Sequence, residues 1–580
     1  GTPYHISEAG HLCCTDNDGN EQRIASFVVE PLKQICRDDG QTCENRFEVR
    51  GIAAGGEELS TIVVSEAELT NLRFCVQHWG FRAKIEVGAN NVFRLRDSIF
   101  ELGRNTSVET IFTHSGWRKI DGNWAYLHGN GAIGAKGVRV ELSDTLRDCR
   151  LPKPPVSPQK AILACLKLRF VAPPRVMLPL LATALLALLC EPARRAGIEP
   201  EFVLWLSGRT GSRKTTLALL VSQLFGNFSR PPASFKDTMN ALGQKSFLYK
   251  DALLLIDDFH PAGSAKEVQS MINLAAYALR LYGDRIGKGR LNAKIELQET
   301  RPPRGVAVIT AEDSPPGSES SVARTFVSTI GSDDVDLAKL TAAQNNQALL
   351  AKCMAAYIKW LIPRMDTLPE ELADNFQKLR SYYQQKALHG RTGEAAAWLT
   401  IAWEKFLEFA QDSSAIDTAK ASQLGKIGRK TFAKLVEEQA QLVQAQQPAA
   451  IFLSVFAEML SAGKMSVLNI APNVQRLGAP DHTFVGYKDT EYFYLYPETV
   501  FNKVNSFLQS RNQRIGISPK ALWERLADED HIAVEMENIG TSRERRLHTK
   551  KKKVDAGKDR VRLLWLKRAS IEGSDSGSDN

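Results

Sequence analysis

The sequence predicts an α/β fold, and three stretches carry the prediction. The first is an apolar segment of strand length (Phe202–Leu206), the loop SGRTGSRKTT (207–216) and an apolar helix (Leu217–Phe225). The second, Asp251–Asp258, reads DALLLIDD, a strand-like run ending in two carboxylates. The third, Gly305–Thr310, reads GVAVIT and leads into Ala311, Glu312 and Asp313. Short apolar runs alternating with helical segments are the pattern of buried parallel strands in a layered sheet.

The first stretch has the layout of a phosphate-binding loop. Successive backbone N–H groups and a helix N-terminus there turn partial positive charge toward phosphate. Gly208, Arg209, Thr210, Gly211, Ser212, Arg213, Lys214, Thr215 and Thr216 form the expected ATP cradle. In such a loop Lys214 reaches the β- and γ-phosphates and the Thr215 hydroxyl holds Mg²⁺. Arg213 stands where the pattern asks for glycine. A side chain there forces a left-handed backbone at about 1–2 kcal/mol, and it either crowds the phosphates or adds a second cation.

The two carboxylates of the second stretch supply the next parts. Asp257 is expected in the Mg²⁺ shell, and Asp258 is expected to polarise the attacking water. Asp258 is shorter than the usual glutamate. At the end of the third stretch, Thr310 and Glu312 are the candidates for sensing the γ-phosphate. Arg324, in SVARTFVST, lies where an oligomeric ATPase often places an arginine for its neighbour's nucleotide; a structural ion pair is the competing reading.

Around this core the chain divides by composition. Residues 1–150 alternate polar and apolar residues, with strands at SFVVE, RFEVRGIA and STIVVS and a helix over Glu66–Trp79. SGWRKIDGNWAYLHGNGAIG reads as a hairpin turning at Asp121-Gly122, with Trp117, Trp124 and Tyr126 beside it. These aromatics suit a core better than a base-stacking surface. LPKPPVSP opens a Pro-rich linker over 151–160. Lys160–Gly197 is mostly helical. Its apolar run Val176–Cys190 contains Pro179 and is shorter than a membrane span, so it reads as a buried helix and no membrane partner is expected.

After a helix over Glu267–Leu281, YGDRIGKGRL interleaves glycine with Arg285, Lys288 and Arg290, and Lys294 follows. This basic turn between two core strands is a candidate DNA-contacting hairpin, with a plain solvated loop as the alternative. Residues 336–450 are Ala/Gln/Leu-rich, with helices at Ala338–Ile362, Leu368–Leu388 and Thr392–Gln411. Arg391 there reads as a salt-bridge partner, with an approach to nucleotide as the alternative. Residues 451–569 combine helices with the strands FVGYKD, EYFYLYP and VRLLWLK, which suggests a winged helix. Its wing carries Arg543, Arg545, Arg546, Lys550, Lys551, Lys552 and Lys553, a block suited to phosphates without sequence choice. Residues 570–580 read as a disordered acidic tail.

Across its 580 residues the chain is 43% hydrophobic and 24% charged, an ordinary globular composition with room for three or four domains. Its net charge of +8 favours a polyanionic partner. No signal peptide is apparent. Nine scattered cysteines suit free thiols in a reducing cytoplasm. Cys13, Cys14, Cys36 and Cys43 lack the paired spacing of a zinc site.

The GW…DG..W.Y hairpin, the Pro linker, the loop, LLIDDFHP, the GKGR turn and RPPRGVAVITAEDSP form a set. Together, over roughly residues 1–410, they resemble the helicase-like ATPases of phages, integrative elements and resistance-cassette chromosomes. That family's loop has glycine at the place of Arg213. The resemblance implies an AAA+ P-loop core related to superfamily-three and MCM-type helicases, assembled as a hexameric ring on DNA. The expected architecture is an N-terminal α+β domain (1–150), the AAA+ core (161–335), a helical lid (336–450) and a C-terminal winged helix. The expected activity is an ATP- and Mg²⁺-dependent DNA helicase or translocase in replication of a mobile element or phage. A primase or initiation protein is a candidate partner. A non-motor ATP-binding origin or regulatory protein is the first rival. A metabolic kinase shares the loop but explains neither the hairpin nor the basic wing.

Overall fold

The computed structural model describes residues 2–15, 19–287, 290–291, 297–298, 300–316, 319–387, 390–445, 447–470, 481–511, 515–538, 544–554 and 560–572. They fall into two compact units, one of residues 1–315 and 324–436, the other of residues 316–323 and 437–580.

The first unit begins with an antiparallel sheet of β1 (Tyr4–Ile6), β2 (Leu12–Thr15) and β3 (Glu21–Ala25). A meander follows: β4 (Phe27–Asp38), β5 (Cys43–Ala53) and β6 (Glu58–Ser65). The helix expected over 66–79 is two helices, α1 (Glu66–Asn71) and α2 (Arg73–Trp79). Leu72 turns left-handed between them (φ 55°). The Asn71 carboxamide accepts from the Arg73 N–H (2.8 Å), a local bond that competes with the helical ladder. Next come α3 (Asn91–Gly103), β7 (Ser107–Phe112), the hairpin strands β8 (Gly116–Ile120), β9 (Asn123–His128) and β10 (Gly131–Ile133), and β11 (Arg139–Val140). The larger sheet has the order β11-β7-β4-β5-β6. Cys36 and Cys43 are joined across β4 and β5, contrary to the expectation of free thiols throughout; the antiparallel register brings them together. The other seven cysteines are buried thiols.

α4 (Gln159–Lys167), α5 (Pro174–Leu186) and α6 (Cys190–Arg195) lead to the central sheet. Among the described residues, Pro174–Arg195 is the one helical stretch long and apolar enough to cross a membrane, and 94% of its most apolar window is buried inside the protein. The central elements are β12 (Val203–Ser207), α7 (Lys214–Ser222), β13 (Ala233–Ser234), α8 (Met239–Leu248), β14 (Leu253–Phe259) and α9 (Ala265–Asp284). They continue with β15 (Arg290–Leu291), β16 (Leu297–Gln298) and β17 (Val306–Ala311); after α10 (Glu319–Val322), which belongs to the second unit, comes β18 (Thr325–Thr329). The sheet is parallel throughout, in the order β13-β14-β17-β12-β18. The carboxylate strand β14 is therefore separated from the loop strand β12 by β17. The chain order reverses beside β12, and ligands of open α/β sheets sit at such a switch, off the strands' carboxyl ends.

The helices that follow are α11 (Leu337–Asn345), α12 (Gln347–Leu361), α13 (Leu368–Gln384), α14 (Gly390–Asp412) and α15 (Thr418–Ala445). The single helix expected over 338–362 breaks at Asn346, whose side chain donates to the Ala342 carbonyl (2.8 Å).

The second unit contains α16 (Pro448–Ser461), β19 (Ser466–Asn469), β20 (Phe484–Lys488), β21 (Tyr492–Leu495), α17 (Pro497–Gln509) and α18 (Pro519–Asp528). It ends with β22 (Ile532–Ala533), β23 (Glu535–Asn538), β24 (Glu544–Leu547), β25 (Lys550–Lys552), β26 (Val561–Lys567) and α19 (Ala569–Glu572). α18 starts as read from sequence: the Ser518 hydroxyl accepts from the Ala521 N–H, and Pro519 takes the first turn. Phe452, Phe456, Phe493, Trp523 and Leu564 fill its core. α19 occupies residues 569–572, the start of the expected tail; the rest of that tail lies outside the described residues.

One buried polar cluster fixes the hairpin of β8 and β9 to the start of β14. Asp251 Oδ2 accepts from Lys250 Nζ (2.6 Å) and from the Trp117 N–H (2.9 Å). Lys250 Nζ also donates to the Trp117 carbonyl (2.6 Å) and pairs with Glu191 (3.0 Å). The Tyr126 hydroxyl donates to the Asp251 carbonyl (2.8 Å). A Cβ on Gly116 would stand 2.6 Å from Asp251 Oδ2, so this contact needs glycine.

At the end of the hairpin, buried His128 Nδ1 accepts from the N–H groups of Asn130 and Leu151 (both 3.2 Å). Burial lowers its pKa from 6.5 to about 4. The unfolded chain takes up this proton below about pH 6.5, whereas the folded chain resists until about pH 4. Stability is thus full above that window and is lost as pH falls through it. Urea unfolding should show a loss of about 3 kcal/mol from this group across the window. A His128→Gln variant, which offers a neutral acceptor, should show a shallower acid limb; an unchanged limb would refute the assignment.

Candidate nucleotide site

The loop leaves β12 at Ser207 and enters α7 at Lys214. Gly208 passes so close to β18's end that a Cβ would lie 2.5 Å from the Ile330 carbonyl oxygen. Arg213 adopts the left-handed conformation (φ 66°, ψ 27°), as its place in the pattern requires, and its side chain is exposed. Its carbonyl accepts the first helical bond of α7, from the Leu217 N–H (3.0 Å). Arg209 and Thr210 are exposed on the loop, Ser212 is buried beneath it, and Thr216 lies in the first turn of α7. Lys214 Nζ donates to the carbonyls of Gly208 (2.7 Å) and Arg209 (3.1 Å), which holds it across the loop.

The parallel register brings three elements to one carboxylate oxygen. Asp257 Oδ1 accepts from Thr215 Oγ1 (2.7 Å) and from Thr310 Oγ1 (2.6 Å). Thr310 Oγ1 in turn accepts from the Asp258 N–H (3.0 Å). β14 pairs regularly with β17 to Ile256 and resumes only at Phe259. The intervening bulge puts Asp258 at φ 69° and exposes its side chain. Successive residues of a regular strand face opposite ways, and a bulge re-aims them. Thr310 bridges that bulge.

Glu312 closes the other side. Its carboxylate accepts from Thr210 Oγ1 on the loop, and its Oε2 lies 2.7 Å from His260 Nδ1. His260 escaped the sequence reading; its one signal was its place two residues after the double acid, in DDFH. Thr215 Oγ1 and Asp257 Oδ1 fit Mg²⁺: neighbouring oxygens in its octahedral shell stand about 3 Å apart.

The cations expected to act elsewhere divide sharply. Arg324 makes a two-toothed pair with Asp284, Nε to Oδ1 at 3.0 Å and a terminal nitrogen to Oδ2 at 3.1 Å. Arg391 reaches the same carboxylate (3.2 Å) and the Gly283 carbonyl (3.0 Å). The Arg324 carbonyl accepts from the Val203 N–H, at the start of β12. The loop lies at the other end of that strand, about 13 Å away, so Arg324 does not belong to its own chain's loop site.

Arg285, expected to touch DNA, is instead an internal anchor. It ends α9 in the left-handed conformation (φ 52°). Its guanidinium donates to the carbonyls of Pro200 (2.8 Å from Nε), Gly305 (2.7 Å) and Pro303 (3.4 Å). β15 and β16 form an antiparallel hairpin in which Arg290 opposes Gln298. Lys288 and Lys294 lie outside the described residues, and Arg290 is placed by its backbone only.

In the second unit, β25 pairs with β26, Lys551 opposite Arg562. Lys552 does not stand free as expected: it donates to the Tyr494 hydroxyl (2.9 Å), pairs with Asp489 (3.5 Å) and stacks on Tyr494 and Trp565. Lys550 stacks on Trp565 at 4.8 Å. Arg546 pairs with Asp528 and donates to the Ala527 carbonyl (2.7 Å). Lys551 and Lys553 are exposed. Arg543 lies outside the described residues, and Arg545 is placed by the backbone of β24.

No known protein family matches the chain, and no curated protein does. Among solved structures it is similar to the active helicase Cch of SCCmec type IV, with a TM-score of 0.56 at 14% identity over 99% of each chain. This likeness defines an α/β fold shared along the whole length of both chains. JCV helicase with a bound thiazolopyridine acetamide matches 38% of this chain and 69% of its own at 13% identity, with a TM-score of 0.20. The NrS-1 C-terminal region matches 70% and 87% at 10% identity, with a TM-score of 0.22. Superpositions that loose carry no argument.

Arg285→Ala should lower stability by roughly 2–3 kcal/mol, because charge-assisted bonds to buried carbonyls are lost. Fluorescence-monitored urea unfolding measures this. DNA affinity per folded molecule should be unchanged; a selective loss of DNA binding with full stability would return Arg285 to the DNA surface.

Proposed function

We propose that the protein is an ATP-dependent DNA helicase or translocase with an AAA+ core. The observation that carries this reading is Asp257 Oδ1 shared by Thr215 and Thr310, which joins the loop, the carboxylate strand and the strand between them at one atom. The fold common with Cch supports the same reading. The proposed division follows the sequence: N-terminal domain to residue 150, core 161–335, lid 336–450 and winged helix 451–569.

In the proposed cycle Lys214 leaves the loop carbonyls for the β- and γ-phosphates of ATP. Thr215 and Asp257 would hold Mg²⁺, which when bound supplies charge neutralisation at the transferred phosphate. Asp258, turned out by the bulge, orients the attacking water. Thr310 couples both acids to β17, and Glu312 with His260 holds the loop through Thr210. Arg324 acts on the nucleotide of a neighbouring subunit in a hexameric ring. The β15–β16 hairpin tracks DNA, and Lys551 and Lys553 add phosphate contacts. Such a motor suits replication of a mobile element or phage in the cytoplasm beside a primase or initiation partner. Arg213 and the short Asp258 favour one second reading, a non-motor protein that uses ATP only to assemble on DNA.

DNA-stimulated ATPase and strand displacement on a fork separate the two. Lys214→Ala should remove most ATP binding, whereas Asp257→Ala should keep part of it and lose hydrolysis. Wild-type turnover by Lys214→Ala would refute the site, and ATP binding without stimulation or displacement would select the non-motor reading.

Lys551→Ala with Lys553→Ala should flatten the log–log salt dependence of duplex binding by about 2, since each released phosphate contact contributes about 0.9. ATPase at saturating DNA should persist. An unchanged slope would remove this strand from the DNA surface.

A further inference from the structure

The small sheet of β1, β2 and β3 carries side chains that the nucleotide site does not use. His5 pairs with Cys13 across β1 and β2, and Thr15 pairs with Glu21 across β2 and β3. Cross-strand and alternate residues share a face. A ring nitrogen of His5, Cys13 Sγ and a Glu21 carboxylate oxygen all lie within 4.8 Å of one another. His5 Nε2 is 3.1 Å from Glu21 Oε2. The Cys13 thiol, 1% exposed, also hydrogen-bonds to Glu21. These bonds, from His5 first and Cys13 second, hold the Glu21 carboxyl below its usual range. One nitrogen, one sulfur and one oxygen therefore converge.

The neighbouring cysteines do not share this place. Cys14 points to the opposite face and packs into the core with Leu12 and Ile24. Cys36 and Cys43 are bonded to each other. The set is thus His5, Cys13 and Glu21, not the four cysteines that the sequence alone brings to mind.

We propose that His5, Cys13 and Glu21 form a site for a borderline-soft divalent cation, zinc by preference, with one coordination position open to water. Zinc takes thiolate, imidazole and carboxylate in a tetrahedral set, whereas calcium and magnesium prefer oxygen alone. On binding, the Sγ–metal bond replaces the Cys13 S–H bond and the proton goes to solvent. The Nε2–metal bond likewise replaces the Nε2–H bond that faces Glu21: His5 releases that proton to solvent and coordinates as the tautomer protonated at Nδ1, and Glu21 supplies a carboxylate oxygen. Arg23, opposite Cys13, opposes the cation, while Ser7 hydrogen-bonds the Cys13 sulfur. The bound ion ties β1 to β2 and β3.

The test uses the full chain carrying Asp257→Ala, which removes the oxygen site at the loop. After chelation it is titrated with Zn²⁺ and separately with Co²⁺. Retained metal after dialysis, near-ultraviolet thiolate-to-cobalt absorption and amide exchange at residues 4–6 are read. One equivalent should be retained, with the thiolate band and slowed exchange. Cys13→Ser should abolish the band, His5→Ala and Glu21→Gln should each weaken retention by at least about ten-fold, and Cys14→Ala should leave the band. His5 and Glu21 are partly exposed, so their variants test the site without disturbing the core. No retained equivalent, a band that survives Cys13→Ser, or wild-type retention in both His5→Ala and Glu21→Gln would overturn the proposal.

Discussion

The buried pair of Lys250 and Asp251 is the constraint on which the working part of the first unit depends. Both side chains are almost wholly removed from water. Burial raises the Asp251 pKa against the attraction of Lys250. Such a pair is weak as a source of stability, because desolvation offsets most of its Coulombic gain. Its effect is geometric. The acid is satisfied only when the Trp117 N–H faces it and the base only when the Trp117 carbonyl and Glu191 are in reach. A slip of β14 by one residue would leave two buried charges unpaired. β14 follows directly and carries, six residues after Asp251, the acid shared by Thr215 and Thr310. The hairpin thus sets the register on which the candidate site relies.

What was legible in the sequence follows from the range of the forces involved. The loop, the double acid and GVAVIT are local patterns, and each lies where a local pattern puts it. α13 and α14 follow their apolar periodicity closely. The break at Leu72 was hidden because it depends on one Asn71 bond inside an otherwise good helical pattern. Arg285 and Lys552 could not be told from free surface cations by sequence. Their partners, the carbonyls of Pro200 and Gly305 and the rings of Tyr494 and Trp565, come from distant segments. His260 was hidden for the same reason, since only the parallel pairing of β14 with β17 brings it to Glu312.

Two left-handed residues flank the candidate site, Arg213 before α7 and Asp258 in the bulge. Each costs about 1–2 kcal/mol, and neither is glycine. Strain of this kind persists where surrounding contacts over-determine it. Around Arg213 those contacts are the close approach at Gly208 and the first helical bond of α7. Around Asp258 they are the Thr310 hydroxyl and the resumed pairing at Phe259. The bulge also decides which way the two successive carboxylates face. A regular strand would turn one of two successive carboxylates into the sheet. The positive φ turns Asp258 outward while Asp257 keeps its bonds to the two threonines.

An arginine that serves a neighbour must lie where its own chain's loop cannot take it. Arg324 lies just before β18, at the end of the sheet opposite the loop. Its pairing with Asp284 is the structural ion pair that the sequence offered as the competing reading. Asp284 holds two guanidiniums, from Arg324 and Arg391. Glu201 and Glu394 also stand close to Arg391 and Asp284, so acids and bases are gathered together here. Arg391 on α14 keeps its bond to the Gly283 carbonyl as well as to the acid. If Arg324 serves a neighbouring nucleotide, as proposed, Arg391 can stay on Asp284 and the acid keeps a partner. Asp284 would then link that transfer to the helix that carries Arg391.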